Sequence, residues 1–231
     1  MLNEHALAAD QLIPTLGQTL CELITQMQAS QHSVSLALAG GNTPAPLYRW
    51  LSTQAINWGN CKITLTDERW LNPDQPDSNE LLIRENLLIN QAQHAYFCPL
   101  KNSAKTAREG QQECETNLSI NMPSLDIVLL GMGEDGHFAS IFPGQDDFAT
   151  LTNPQHNALC RALHPPHAPH ERMTLTLAYL LSAKRIFILF KGAKKIRLYE
   201  QAKQAIHHVE EFPLRILMSQ SLVPVDVYWS L

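Results

Sequence analysis

Residues 125–131, LDIVLLG, form a nearly continuous branched apolar run that ends at glycine. A strand that is apolar on both faces needs cover on both faces, which is the situation inside a parallel sheet. RIFILF (185–190) has the same character, and SVSLALA (33–39) and KITLT (62–66) read as further strands. Segments of helical period alternate with them. Residues 4–30 read as helix, because Ala8, Leu12, Leu16, Leu20, Leu23, Ile24 and Met27 recur at near-helical spacing. Pro14 is expected to kink or divide it. APLYRWLS is a short helix, and NELLIRENLL is another, with Asp77 and Glu80 placed as its capping box. Residues 103–120 read as a polar amphipathic helix, and the chain after KGAKK (191–195) continues as helix. ALCRAL (158–163), RMTLTL (172–177) and VDVYWSL (225–231) are shorter strands. This alternation predicts an α/β fold over residues 1–231: a single domain with an open, mostly parallel sheet, helices on both faces, Rossmann-like in plan. No internal repeat and no Gly/Ser-rich linker divides the chain.

Charge and cysteine content narrow the function. The formal net charge is −5 with no basic block, which argues against a nucleic-acid partner. A small phosphorylated ligand remains open, since it needs only two or three local cations. Cys21, Cys61, Cys98, Cys114 and Cys160 are odd in number and lack C-x-x-C spacing. They read as free thiols in a reducing cytoplasm, without a disulfide framework or a zinc site. MLNEHALAAD has neither the cationic nor the apolar part of a signal peptide, and no run of about 18 apolar residues suggests a membrane span. The histidines of HPPHAPHE (164–171) lack common metal spacings, so this segment reads as a solvated loop. Neither a metal nor a cofactor is expected.

GMGEDGHFAS (131–140) matches G-x-G-x-x-G at Gly131, Gly133 and Gly136. The dinucleotide fingerprint also needs a long crossover helix and a second strand ending in an acid about 20 residues on. Pro143-Gly144 interrupt any such helix within two turns. The remaining reading is a glycine-built loop at the carboxyl end of a central strand, where open α/β sheets place ligands. Its glycines let backbone N–H groups approach a developing oxyanion. Glu134 and Asp135 place two carboxylates beside His137. A carboxylate fixes the imidazole tautomer, as a general base near neutral pH requires. A tight turn with a capping histidine is the plainer alternative.

LALAGGNTPAPLY (36–48) has the form of a strand–turn–helix anion cradle, with Gly40, Gly41 and Thr43 before a helix start; an ordinary capped turn is equally compatible. In TDERW (66–70), Arg69 either pairs with Asp67 and Glu68 or faces a phosphate. In KGAKK, Lys194 or Lys195 is available to neutralise an anion.

Together, LAGGNTP, TDERW…DSN, GMGEDGHFASIFPG, HERMTLT and KGAKK occur in an order that resembles the 6-phosphogluconolactonase family over most of the chain. The related aminosugar-phosphate deaminases and isomerases share the G-x-G-x-D-G-H core but continue toward I-A-F-N-E-P and carry D-E-Y. This chain has FASIFPG and Asp67-Glu68-Arg69 instead. It also has Asn42 where the family usually has serine. The resemblance implies the fold of aminosugar-phosphate deaminases, ribose-5-phosphate isomerase and CoA transferases. It implies metal-independent hydrolysis of 6-phospho-D-glucono-1,5-lactone in the oxidative pentose phosphate pathway. His137 would be the base and Asp135 its orienting partner. Gly40, Gly41, Asn42, Thr43, Asp67, Arg69, Gly133, Arg172 and Lys195 would contact substrate or its phosphate. Lys195 is preferred to Lys194 because the family pattern counts G-x-x-K from Gly192. A monomer is expected, with a weak dimer as the alternative. The competing readings are an aminosugar-phosphate isomerase or deaminase and a non-catalytic sugar-phosphate sensor.

Overall fold

A computed structural model describes residues 1–165, 169–204 and 209–231. The first half of the chain contributes β1 (Leu2–Ala6), α1 (Ala9–Ser30), β2 (Val34–Leu38), α2 (Ala45–Ser52), β3 (Cys61–Leu65), β4 (Asp67–Arg69), α3 (Asn79–Asn86), β5 (Tyr96–Phe97) and α4 (Ala107–Asn121). The second half contributes β6 (Ile127–Gly131), α5 (Phe148–Leu151), β7 (Cys160–Leu163), β8 (Arg172–Leu175), α6 (Leu177–Leu180), β9 (Arg185–Lys191), α7 (Ala193–Gln204), α8 (Leu214–Ser219) and β10 (Val225–Ser230).

Seven strands form one sheet in the order β1-β10-β9-β6-β2-β3-β5, with every neighbouring pair parallel. The branched run of β6 lies at its centre, and Ile127, Val128, Leu129 and Leu130 are all fully buried. From β2 the sheet grows outward through β3 to β5. It then resumes on the other side of β2 with β6, β9 and β10. This reversal opens a crevice beyond the carboxyl ends of β2 and β6, the usual ligand position in such sheets. Helices cover both faces, as β1 makes plain. Glu4 reaches Tyr199 and Lys203 of α7, while the adjacent His5 stacks on Tyr228, whose hydroxyl meets Thr19 of α1. Successive strand side chains point to opposite faces, so α1 and α7 lie on opposite sides.

A second sheet, β4-β8-β7, is antiparallel. Here the structure corrects the sequence reading: residues 158–163 and 172–177 do not extend the parallel sheet, and Asp67–Arg69, not predicted as a strand, pairs with the latter. Thr66 joins the two sheets. Its N–H donates to Leu38 of β2, and its carbonyl accepts from the N–H of Leu175 at the end of β8. The outer edge of β7 is covered by α4. Glu115 accepts from the N–H groups of Leu159 and Cys160, and Gln111 accepts from that of Ala162.

Three smaller expectations also change. Residues 2–6 form an edge strand ahead of the helix, because Asn3, Glu4 and His5 find partners on opposite faces of the sheet. Pro14 does not divide α1; it lies on the exposed side near the start, where the carbonyl left without an N–H faces water. The cap of α3 is Ser78, whose hydroxyl accepts from the N–H of Leu81, and Glu80 instead pairs with Arg84.

Candidate active site

The crevice is a cleft of about 330 Å³. Gly40, Gly41, Asn42 and Thr43 line it from the loop after β2, and Gly133, Glu134 and His137 from the loop after β6. Asp67, Arg69 and Arg172 enter from the small sheet, and Lys195 from the first turn of α7. Every site residue that the resemblance implied therefore borders one cavity, except Asp135, which stands behind His137, while the alternative lysine, Lys194, lies outside the lining.

His137 is held from several sides. Its Nδ1 lies 2.5 Å from Oδ1 of Asp135, and its backbone N–H donates to the same oxygen at 3.2 Å. Phe142 packs on the ring with centroids 4.3 Å apart. Burial works to raise the Asp135 carboxyl, but the contacts from His137 outweigh it and hold the group below its usual range. With Nδ1 engaged, Nε2 is the ring nitrogen available to a substrate or water. Gly133 permits this arrangement. A Cβ there would stand 2.1 Å from His137 Nδ1 and 2.6 Å from Asp135 Oδ1. Glu134, the second carboxylate of the motif, turns away to Lys194 at 2.5 Å.

The small sheet brings cations to the opposite wall. Arg69 and Arg172 are directly paired across β4 and β8, and the Nε of each is buried without a hydrogen-bond partner among the described residues. Like charges placed opposite one another are unfavourable. Burial depresses the Arg172 guanidinium; Asp67 pulls it back up, and Arg69 pushes it down. Arg69 does not pair with either neighbouring carboxylate, as one sequence reading allowed. Its Nη1 donates to the carbonyl of Asp77 at 2.6 Å. Asp67 faces the cleft beside Arg172 at 3.4 Å and accepts from the Ser140 hydroxyl at 2.5 Å. Lys195 is half-buried and makes no ion pair among the described residues. Burial lowers its ammonium, with Glu134 and Asp135 acting in the other direction. The N–H groups of Gly41, Asn42 and Thr43 make no hydrogen bond to another described residue.

Several residues escaped sequence reasoning. Glu68 points away from the cleft, as strand alternation dictates, and is fully buried. Its carboxylate accepts from the backbone N–H groups of Arg69, Asn79 and Glu80 and from the Ser78 hydroxyl. Burial pushes it up to about 7, with the three backbone donors pulling the other way. Asn79 lines the cleft and donates to the carbonyl of Asp67. Ala139, also in the lining, has φ +48, a costly value for a residue with a side chain. It is fixed there through Ser140, whose N–H donates to Thr174 and whose hydroxyl donates to Asp67. A polar residue three positions on from D-G-H was the available signal, but its partners lie on β4 and β8. In HPPHAPHE, residues 166–168 fall outside the described residues, while His170 lies 3.5 Å from Asp77. Among the described residues, no three His, Cys, Asp or Glu side chains converge as a metal site, and no helix is long and apolar enough to cross a membrane.

A family model described as glucosamine-6-phosphate isomerases/6-phosphogluconolactonase matches residues 8–229. The chain belongs to this family. Its relatives within the glucosamine-6-phosphate isomerase/6-phosphogluconolactonase family include a 6-phosphogluconolactonase of Mesorhizobium japonicum, 33% identical over 220 residues, which cover 95% of this chain and 91% of the relative. A 6-phosphogluconolactonase of Xylella fastidiosa is 35% identical over 221 residues, covering 93% and 90%. The crystal structure of a 6-phosphogluconolactonase from Shewanella baltica superposes with a TM-score of 0.95 at 36% identity, covering 100% of this chain and 98% of that one. The family fold, α/β with a parallel sheet, is the one described above.

Proposed function

We propose that the cleft opens 6-phospho-D-glucono-1,5-lactone by general-base attack of water, with His137 as the base. The activity is that of a 6-phosphogluconolactonase, a hydrolase of the oxidative pentose phosphate pathway, in keeping with the relatives. The observation that carries the mechanism is the 2.5 Å contact between Asp135 and Nδ1 of His137 at the wall of a cleft whose other side is cationic. Asp135 holds Nδ1 protonated and leaves Nε2 free to take a proton from water. The hydroxide equivalent adds to the lactone carbonyl, and charge collects on the carbonyl oxygen. Backbone amides of the glycine-rich loops that line the cleft are suited to that oxyanion. The imidazolium then returns its proton to the departing ring oxygen, and the ring opens to 6-phospho-D-gluconate. A lactone is an activated ester, so a positioned base and fixed charge suffice without a cofactor.

Gly41, Asn42, Thr43, Arg69 and Lys195 hold the 6-phosphate in this scheme, with Arg172 and Asp67 completing the substrate contacts. A dianion would relieve the repulsion between Arg69 and Arg172. Lys195→Ala is expected to raise KM about tenfold, the worth of one charge-assisted hydrogen bond. Lys194→Ala removes only an exposed ion pair and is expected to leave KM within about twofold, which steady-state kinetics of the two variants will check. We place the protein in the cytoplasm, as a monomer acting on a small molecule.

The direct test is proton release from freshly generated 6-phosphogluconolactone, with and without the protein and with chelator present. A large acceleration that survives chelator is expected. Hydrolysis at the spontaneous rate would overturn the assignment, and ammonia release from glucosamine 6-phosphate would then identify the other activity that the family description includes.

A further inference from the structure

The segment before α8 grips the loop that carries His137 from the side away from the cleft. Gly136 lies between Asp135 and His137 with φ +80, and the ring of Phe212 fills the space its missing side chain leaves. A Cβ on Gly136 would stand 2.3 Å from Cδ2 and Cε2 of Phe212. Phe212 is itself buried. Two backbone hydrogen bonds fasten the same segment. The N–H of Leu214 donates to the carbonyl of Gly136 at 3.1 Å, and the N–H of Gly144 donates to the carbonyl of Glu210 at 3.3 Å. The loop is thus tied at Gly136 and at Gly144, with His137 and the ring that packs on it, Phe142, between the two ties.

We infer that Phe212 is a positioning residue for lactone hydrolysis, acting through Gly136 to hold Asp135 and His137 in register. It does not itself line the cleft. Its ring and the Leu214 hydrogen bond fix the peptide that joins the two functional residues. A base displaced by about 1 Å can lose up to about 10²-fold in rate while substrate binding stays intact. The inference rests on His137 being the base, so one experiment must separate the two.

Steady-state kinetics would be compared for the wild type, Phe212→Ala, Phe212→Leu, His137→Ala and Ile24→Ala. Ile24 is fully buried on α1 and serves as a matched core truncation remote from the loop. Circular dichroism and Tm would establish that each variant is folded. Phe212→Ala is expected to lose about tenfold or more in kcat with KM within about twofold, and Phe212→Leu to fall between it and the wild type. Ile24→Ala is expected to lose Tm but keep kcat. A folded Phe212→Ala with wild-type kcat overturns the inference, as does a kcat loss in Ile24→Ala that scales with its Tm. Should Phe212→Ala not fold, Phe212→Leu decides: a lower kcat at unchanged KM supports positioning, and wild-type kcat overturns it. If His137→Ala retains kcat, the base assignment fails and this inference fails with it. If His137→Ala is impaired and Phe212→Ala is not, only the role of Phe212 falls.

Discussion

Replacing His137 with alanine lowers kcat by at least about 10²-fold, the lower bound of what a positioned general base contributes. The fold is expected to survive, because the imidazole is not part of the core; its packing contact is Phe142 and its polar partner is the half-exposed Asp135. The cations of the opposite wall stay in place, so KM is expected to change little. Far-UV circular dichroism and steady-state proton release measured on one preparation check both halves of the prediction. An intact variant with wild-type kcat would remove His137 from the mechanism. A variant with raised KM and unchanged kcat would make it a binding residue.

Glu68→Ala is expected to produce the largest loss of stability. Its carboxylate is the acceptor for the backbone N–H of Arg69 on β4 and for two backbone N–H groups and one hydroxyl at the start of α3. Alanine leaves these donors buried without a partner, at a cost of at least about 3 kcal/mol. For a chain of this size that corresponds to a Tm about 10 °C lower. Urea unfolding at neutral pH gives the free energy directly, and a change under about 1 kcal/mol would mean that water replaces the lost oxygens. Activity should also fall in the surviving folded fraction, because the N–H of Arg69 is one of the released donors and Arg69 borders the cleft.

The parts of the fold that were legible in the sequence are those specified by local pattern. The apolar run of β6 predicts a central parallel strand, and the glycine at its end predicts a loop in the crevice. The GGNTP turn, the DGH loop and the last lysine of KGAKK all arrive at the cleft, since each directly follows a strand of one parallel sheet. The small sheet was not legible as a separate sheet. Residues 160–163 and 172–175 look like any short strands, and their partner is the charged triplet Asp67–Arg69, which carries no strand signal. What makes it a strand is tertiary: Asp67 meets Arg172 and Ser140, Glu68 meets the start of α3, and Thr66 connects both sheets. The N-terminal strand was hidden for the same reason. Asn3 and His5 share Asp226 as a partner on one face and Glu4 joins α7 on the other, and no spacing rule within LNEHA announces either.

The cover that α4 places over β7 bears on how the protein behaves in a crowded or partly unfolded state. An exposed edge strand invites a further strand from another molecule. Here the N–H groups that such a strand would need, those of Cys160 and Ala162, are already taken by a carboxylate and a side-chain amide one helical turn apart. The helix therefore acts as a terminal strand that cannot itself be extended. Removing Glu115 would cost more than its hydrogen bonds. It would leave the sheet that carries Arg69 and Arg172 open to pairing between molecules, so the first symptom of that lesion would be self-association rather than loss of catalysis.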